Sequence, residues 1–239
     1  MRTDPWLLVS PGSLKVGVDI LLDEEEARHA SGVLRCRVGD RVVLADGAGV
    51  VAHAEFIECA RSRAVVRITG VERTEETTGG VQLVLAVLHT KAMDWAVQKA
   101  VEVGAQSLFP VVCGRSQGDV HGAGRRLDHW RRVSRQALKQ CHRPWMMKVF
   151  EPEDLETAIG RIASGVVADP EGGQLESLPL EVCRTLLVGP EGGFTPREIM
   201  RLDETDWLRL NLGPHVLRAE TAAIVGAAIL GMRFGRNSS

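Results

Sequence analysis

Aromatic side chains are scarce in this chain, which has five phenylalanines, five tryptophans and no tyrosine. Proteins that bind single-stranded nucleic acid by stacking present several aromatic rings along one groove. The composition therefore argues against an extended stacking surface, and any nucleic-acid contacts should be made largely to phosphates. A net charge of −2 also argues against a protein that coats nucleic acid indiscriminately, although it leaves room for a local basic face.

Cysteine is present without the spacing of a metal site or a disulfide framework. The five cysteines are widely separated, their number is odd, and neither a Cys-x-x-Cys pair nor a histidine at zinc-finger spacing accompanies them. We expect reduced packing residues and no bound metal. The cysteines are Cys36, Cys59, Cys113, Cys141 and Cys183.

Long hydrophobic runs are missing as well. The N-terminal stretch contains Asp4 and Pro5 and is too short in apolar residues for a secretory signal. The small and apolar residues 222–232 are too few to cross a bilayer. The expected location is therefore the cytoplasm, with no membrane partner.

The motifs of several common enzyme classes are also absent. The chain has no Gly-x-x-x-x-Gly-Lys-Ser/Thr, no Gly-x-Gly-x-x-Gly, no Gly-x-Ser-x-Gly and no His-Glu-x-x-His. These absences disfavour an NTPase, a nucleotide-dependent dehydrogenase, a serine hydrolase of the α/β type and a zinc protease.

A segment without core-forming residues, 72–80, separates two parts of the chain and predicts an interdomain linker. The part before it, residues 1–72, is rich in β-type runs and predicts a small β-barrel or sandwich. Asp46-Gly47 predicts a tight turn, and Asp23 predicts the N-cap of a helix over 23–30. The predicted strands are 41–45, 50–57 and 64–68.

The part after the linker, residues 80–239, alternates apolar runs with segments of helical spacing. Such alternation predicts an α/β domain with a parallel sheet. The predicted strands are 81–88, 107–112, 165–168, 185–188 and 207–212. The predicted helices are 93–103, 127–141, 152–163 and 222–232.

Two glycine-rich stretches, 186–194 and 210–218, each follow a predicted strand and lead into a predicted helix. Because ligands of parallel sheets bind beyond the carboxyl ends of the strands, we interpret these stretches as two loops around one small molecule. Thr195, Pro196 and Glu198 form a capping-box pattern that should fix the first loop. A shorter echo, Asp169-Pro-Glu-Gly-Gly173, follows the neighbouring strand and is either part of the same pocket or an ordinary turn.

A strongly basic segment lies between Arg125 and Lys148, which contains eight basic residues and one acidic residue, Asp128. Apolar residues recur there at three- and four-residue intervals, so one face of the helix should pack inward and the arginines should face outward. A solvated helix face is the structurally simpler interpretation, whereas the near absence of acids favours a phosphate-binding surface.

The motifs resemble one known family closely. Val188-Gly-Pro-Glu-Gly-Gly-Phe194 together with Leu212-Gly-Pro-His-Val-Leu-Arg-Ala-Glu-Thr-Ala222 is similar to the ribosomal RNA uracil-N3 methyltransferases of the RsmE type, in the SPOUT superfamily. The stretch 26–40 resembles the N-terminal RNA-binding domain of that family. Lys91 and the stretch 98–104 resemble its first methyltransferase helix.

The resemblance implies an α/β fold in which a PUA-like β-barrel precedes a SPOUT domain with a C-terminal trefoil knot. It also implies a homodimer that binds S-adenosyl-L-methionine and methylates N3 of a uridine in 16S ribosomal RNA, free or in the small ribosomal subunit. The residues expected around the cofactor are Val188, Gly189, Pro190, Gly192, Gly193, Leu212, Gly213, His215, Val216 and Leu217.

Three residues are expected to act in the reaction. We expect Arg218 to stabilise charge on the uracil oxygens, and Glu191 or Glu220 to accept the N3 proton or hold Arg218. A salt bridge from Arg218 to Glu220 or Glu198 is the structural alternative. The residues expected to contact RNA are Arg28, Arg35, Arg131, Arg132, Arg135 and Arg143.

Two stretches depart from the family pattern. Residues 2–6 lack the usual aromatic pair, and Lys139 stands where the family has an acidic residue. The departures concern RNA contacts more than the cofactor site. Two alternatives therefore stay open, a relative that methylates another RNA such as transfer RNA, and an RNA-binding factor without catalytic activity.

Overall fold

A computed structural model describes residues 4–75, 80–162, 164–179 and 184–235. Within these ranges the chain forms two compact units: the first holds residues 4–75 and the segment Leu138–Met146, and the second holds the other described residues. Of the expected linker, Glu72 and Arg73 end a strand, whereas residues 76–79 lie outside the described ranges, as does Cys183. The domain limits 1–72 and 80–239 remain predictions.

The first unit is built on a five-stranded sheet in the order β1-β3-β4-β5-β2. The three predicted strands are confirmed, whereas β1 and β2 were missed because three residues are too few for an alternating pattern. Its strands are β1 (Trp6–Leu8), β2 (Asp19–Leu21), β3 (Arg41–Ala45), β4 (Val50–Ala60) and β5 (Arg63–Arg73). Helix α1 (Glu24–Arg28) continues into a π-turn, His29–Val33, and Asp23 caps it as predicted.

The turn between β3 and β4 fastens the segment 144–146 to the first unit. Asp46 Oδ1 accepts the amides of Ala48 and Val50 at 2.8 and 2.9 Å, which confirms the predicted turn. The Gly49 amide donates to the Pro144 carbonyl. Gly49 has φ +90°, and a Cβ there would lie 2.2 Å from the Trp145 ring, so only glycine fits.

A buried ion pair joins the end of the basic segment to α1. Lys139 Nζ lies 2.6 Å from Glu26 Oε1, and the two side chains are 12% and 7% exposed. Burial raises the pKa of Glu26, and the hydrogen bond from Lys139 acts in the opposite direction. The charge of Lys139 therefore points inward and adds nothing to an exposed basic face, contrary to its place in the predicted basic segment.

We expect Lys139→Met to lower the free energy of unfolding by about 3 kcal/mol at pH 7, because Glu26 then stays buried and charged without a partner. The loss should shrink as the pH falls, since burial raises the pKa of Glu26 and a protonated carboxyl carries no charge. Urea unfolding at several pH values measures both effects.

The double variant Glu26→Gln with Lys139→Met is the matched control. It removes both charges and should recover most of the lost stability. Losses that simply add in the double variant would contradict a coupled pair.

The second unit has a parallel sheet in the order β12-β10-β11-β6-β7-β8, with β9 also paired to β7. The predicted α/β architecture and parallel sheet are confirmed. Its strands are β6 (Gln82–Ala86), β7 (Ser107–Val112), β8 (Lys148–Val149), β9 (Glu153–Asp154), β10 (Ser164–Gly173), β11 (Thr185–Val188) and β12 (Asp206–Leu210).

The helices of this part of the chain cover both faces of the sheet. They are α2 (Thr90–Glu102), α3 (Val120–Gly124), α4 (Leu127–Cys141), α5 (Leu155–Arg161), α6 (Pro196–Asp203) and α7 (Ala219–Gly235). Helices α5 and α6 pack on the face that carries Leu187, and α7 packs on the Leu186 face, where Gly226 permits close approach. The last four residues of α4 belong to the first unit.

Helix α5 begins later than predicted, at Leu155. The preceding residues Glu153 and Asp154 pair with β7 as β9, and the Asp154 side chain then caps the helix by accepting the Thr157 amide.

Among the described residues, the helices are too short or too polar to span a bilayer.

Candidate functional site

A cavity of about 540 Å³ lies at the carboxyl ends of β10, β11 and β12. Both glycine-rich loops line it, as the sequence predicted for a single pocket. Of the expected site residues, Val188, Gly189, Pro190, Glu191, Gly193, Leu212, Gly213, His215, Val216, Leu217 and Arg218 line the cavity. Gly192 and Glu220 do not line it, so of the three residues expected to act in the reaction only Arg218 and Glu191 border the cavity.

The first loop, 189–194, is held in one shape by the start of α6. The capping box is confirmed, with Thr195 Oγ1 accepting the Glu198 amide and Glu198 Oε2 accepting the Thr195 amide. The Gly193 amide donates to the Pro190 carbonyl at 2.8 Å. A Cβ on Gly189 would lie 2.9 Å from the Phe194 ring, so glycine at this position lets the ring fold over the backbone.

The capping carboxylate also holds a third strand end. Glu198 Oε1 accepts the amide of Gly114, the residue that follows Cys113 beyond β7, at 2.7 Å. Burial raises the pKa of the Cys113 thiol to about 12, and the nearby Glu198 carboxylate acts in the same direction. Cys113 is therefore an unreactive packing residue, as expected for it from the sequence.

The second loop, 211–218, is fixed at its beginning and open along its length. Asn211 Nδ2 donates to the Pro170 carbonyl, and Asn211 Oδ1 accepts the Gly213 amide, each at 2.7 Å. The backbone groups of His215, Val216 and Leu217 have no hydrogen-bond partner within the described ranges. These free backbone groups border the cavity and are available to a ligand.

A charged network in the cavity wall was not predicted from the sequence. Arg209 of β12 lies between two carboxylates, at 2.5 Å from Asp169 of β10 and 2.6 Å from Asp203, the last residue of α6. The Asp203 and Asp169 carboxylates raise the pKa of Arg209. The network ties the two strand ends and the helix end that form one side of the cavity.

The echo motif 169–173 has a structural explanation. Its first two residues, Asp169 and Pro170, line the cavity, and Glu171 does not. A Cβ on Gly172 would lie 2.6 Å from the Leu210 amide nitrogen, so its glycine allows β10 to approach β12. The first two residues of the echo therefore form part of the same pocket, and its glycine at 172 serves the packing of β10 against β12.

The Arg218 guanidinium has no ion pair or hydrogen bond with any residue in the described ranges. The alternative in which it pairs with Glu198 or Glu220 is not observed. The Glu198 carboxylate is hydrogen-bonded to Thr195 and Gly114 instead. Arg218 is exposed at the edge of the cavity, at the start of α7. Its charge is available to a ligand in the cavity.

The arginines predicted to contact RNA fall into two groups. Arg132 and Arg135 are exposed on α4, whereas Arg131 donates to the Val149 carbonyl at 3.3 Å and lies near Glu151. In the first unit, Arg28 pairs with Glu24 on α1, Arg35 is exposed with φ +56°, and Arg143 is half-buried just after α4.

Within the described ranges, groups of three or more metal-ligating side chains are not found.

Comparison with protein families identifies the second unit as an RNA methyltransferase domain. A family model described as an RNA methyltransferase domain matches residues 74–231. The chain belongs to this family of RNA methyltransferases. A second family model, described as an RNA methyltransferase PUA domain, matches residues 22–69, so the sheet of the first unit is a PUA-like domain.

Individual relatives agree over most of the chain. Ribosomal RNA small subunit methyltransferase E of Bacillus subtilis is 26% identical over 216 residues, 84% of this chain and 84% of that protein. The enzyme of the same name from Neisseria gonorrhoeae, solved with bound S-adenosyl methionine, is 25% identical with a TM-score of 0.88 and covers 96% of this chain and 98% of that chain. The predicted RsmE-type family is confirmed.

A second solved structure superposes equally well. It is a methyltransferase from Legionella pneumophila in complex with the bound cofactor SAM, 26% identical with a TM-score of 0.88. The match covers 96% of this chain and 97% of that chain.

We expect Arg209→Met to lower the free energy of unfolding by about 1 kcal/mol, because Asp169 is largely buried and loses its charged partner. Arg201→Met is the matched control. Arg201 pairs with Glu204 on the surface, where both side chains are about half exposed, and its loss should change stability by less than about 0.5 kcal/mol. Equal losses in the two variants, measured by thermal unfolding, would contradict a structural role for the network.

Proposed function

We propose that this protein transfers the methyl group of S-adenosyl-L-methionine to N3 of a uridine in 16S ribosomal RNA. The observation that carries the proposal is the cavity at the ends of β10, β11 and β12, which both glycine-rich loops line. At its edge lies Arg218, whose guanidinium has no partner in the described part of the chain. Relatives named for this activity align over most of the chain, and two solved neighbours hold the cofactor.

The residues present suit the cofactor. The cavity combines apolar side chains such as Phe194, Leu212 and Leu217 with free backbone amides and carbonyls, and no phosphate-binding motif is present. Its volume of about 540 Å³ lies within the usual range for sites of this kind. Apolar side chains would enclose the adenine, and the backbone groups of 215–217 would bind its polar edge.

When bound, S-adenosyl-L-methionine supplies an electrophilic methyl group attached to a sulfonium. The protein has to bring uracil N3 into line with that carbon, and alignment alone lowers a barrier by several kcal/mol, about 7 to 11 in well-oriented systems. The rigid capping box at Thr195 serves this purpose, because a loop already in its binding shape costs less to order.

Arg218 performs the electrostatic step of the proposed reaction. Uracil N3 becomes nucleophilic as its proton leaves, and negative charge then develops on O2 and O4. A guanidinium without an internal partner can bind that charge directly. Of the two acids that were candidates to accept the proton, Glu191 lines the cavity and Glu220 does not, so we assign the proton to Glu191.

We extend the proposal to the finer features that the family resemblance implies. These are a PUA-like barrel, a C-terminal trefoil knot, a homodimer and a cytoplasmic location. We also keep the domain limits 1–72 and 80–239; the PUA match ends at residue 69, inside the first, and the RNA methyltransferase match begins at residue 74, six residues before the second.

Deleting the gene should remove one N3-methyluridine from 16S ribosomal RNA, and the wild-type gene should restore it. Arg218→Ala should methylate this uridine at less than about 1% of the wild-type rate, since loss of a transition-state charge partner costs about 3 kcal/mol. Mass spectrometry of ribosomal and transfer RNA digests measures the outcome. Calorimetry with S-adenosyl-L-methionine should show that Arg218→Ala still binds the cofactor.

Each contrary result has a distinct meaning. Full methylation by a folded Arg218→Ala variant would refute its catalytic role. A methyluridine missing only from transfer RNA would favour the alternative substrate, and no cofactor binding by the wild type would favour a non-catalytic RNA-binding factor.

The exposed arginines of α4 should make RNA binding depend steeply on salt. Replacing Arg132 and Arg135 together by glutamine should reduce the slope of log affinity against log salt by about two, because each lost phosphate contact removes nearly one released counterion. The cofactor affinity should not change. Filter binding with 16S ribosomal RNA tests this, and an unchanged slope would exclude this face of α4 from the RNA interface.

A further inference from the structure

Three neighbouring strand ends lie beside the cavity, and the loop after one of them carries Arg115. The sheet order places β7 next to β6 and β6 next to β11. The loop 113–118 follows β7, His89 follows β6, and the glycine loop 189–194 follows β11. Because parallel strands end at one edge, these three segments share the edge at which the cavity opens.

The loop 113–118 has a fixed shape. The Cys113 amide donates to Ser116 Oγ at 3.0 Å, and the Ser116 amide donates to the Cys113 carbonyl at 2.9 Å. The Gly114 amide donates to Glu198 at 2.7 Å, and a Cβ on Gly114 would meet Thr195 at 2.9 Å. The residue between Gly114 and Ser116, Arg115, is therefore presented from a rigid turn.

Arg115 uses a small part of its hydrogen-bonding capacity inside the protein. Its Nη1 donates to the Gly192 carbonyl at 2.8 Å, and a Cβ on Gly192 would lie in contact with its aliphatic stem. Within the described ranges the guanidinium has no carboxylate partner, and the residue is exposed. An arginine with one internal bond keeps several N–H donors and a full charge for an anion.

The neighbours of Arg115 suit an anionic ligand. Gln117 Nε2 lies 2.8 Å from His89 Nε2, which ties the loop to the start of α2, and Lys91 is exposed in the first turn of that helix. Asp119, which follows the loop, caps α3 by accepting the Gly122 amide. The edge thus presents Arg115 and Lys91 together with polar groups, while the Glu198 carboxylate there is occupied by Thr195 and the Gly114 amide, and Glu191 lies on the adjacent glycine loop.

We propose that Arg115 binds a backbone phosphate of the RNA substrate while it holds Gly192 of the loop that borders the cavity. The inference rests on the proposed function, since it assumes an RNA substrate at this edge. It assigns a phosphate contact within the second unit, separate from the α4 arginines and adjacent to the reacting centre. Arginine suits the task because its fork can serve a carbonyl and a phosphate at once.

Arg115→Met keeps the length of the stem and removes the charge. We expect it to raise the Kd for unmethylated small ribosomal subunits by about tenfold at physiological ionic strength. The slope of log affinity against log salt should fall by about one, which a residue with a purely structural role would not cause. Subunits purified from a strain that lacks the gene are the probe, and co-sedimentation measures the binding.

Two further variants sharpen the test. Arg115→Lys keeps the charge and should keep the salt slope of the wild type. Arg197→Met removes one arginine of the same unit that is 83% exposed and pairs with Glu156, and it should behave as the wild type. If Arg115→Met does not fold, Arg115→Gln removes the charge and gives the same two readouts.

The proposal is overturned if Arg115→Met leaves the Kd and the salt slope unchanged, or if it weakens only S-adenosyl-L-methionine binding in calorimetry. It is also overturned if Arg115→Lys loses as much RNA affinity as Arg115→Met. Wild-type protein that binds no subunits would refute the proposed function itself, so the two failures are distinguishable.

Discussion

Parallel pairing of β10 with β11 and with β12 is the constraint on which the site depends. Val167 of β10 lies opposite Leu187 of β11 and Arg209 of β12, so these three residues are level in the sheet. Two residues after Val167, Leu187 and Arg209 lie Asp169, Gly189 and Asn211, respectively. Three segments that are distant in sequence thus begin side by side, and the cavity is the space between them.

Glycine-rich loops and buried strands were predictable because their signals are local. The strands 107–112 and 185–188 were predicted with the bounds that the structure has, since each is a mainly apolar run that a polar residue precedes. The pairing of Arg209 with Asp169 was not predictable, because it joins residues 40 positions apart on strands whose order the sequence pattern does not specify. The edge strands β1 and β2 were not predictable, because each has three residues and three residues cannot show an alternating pattern.

Lys139 illustrates the limit of charge patterns. In sequence it continues a run of arginines, and its neighbours Arg132 and Arg135 are indeed exposed. Its own side chain is buried against Glu26, which lies in the helix predicted over 23–30 and had no predicted partner. A local pattern gives the sign of a charge and the face of its helix, whereas burial depends on what the rest of the fold places there.

Glu198 connects local helix chemistry to the shape of the whole site. A capping box ordinarily stabilises one helix by about 1 kcal/mol. Here one carboxylate accepts the amide and hydroxyl of Thr195 through Oε2 and the amide of Gly114 through Oε1. The start of α6, the first glycine loop and the turn that carries Arg115 therefore share a single anchor. Because both loops are already ordered by it, a ligand that bridges them has less conformational entropy to remove, and the anchor contributes to binding without touching the ligand.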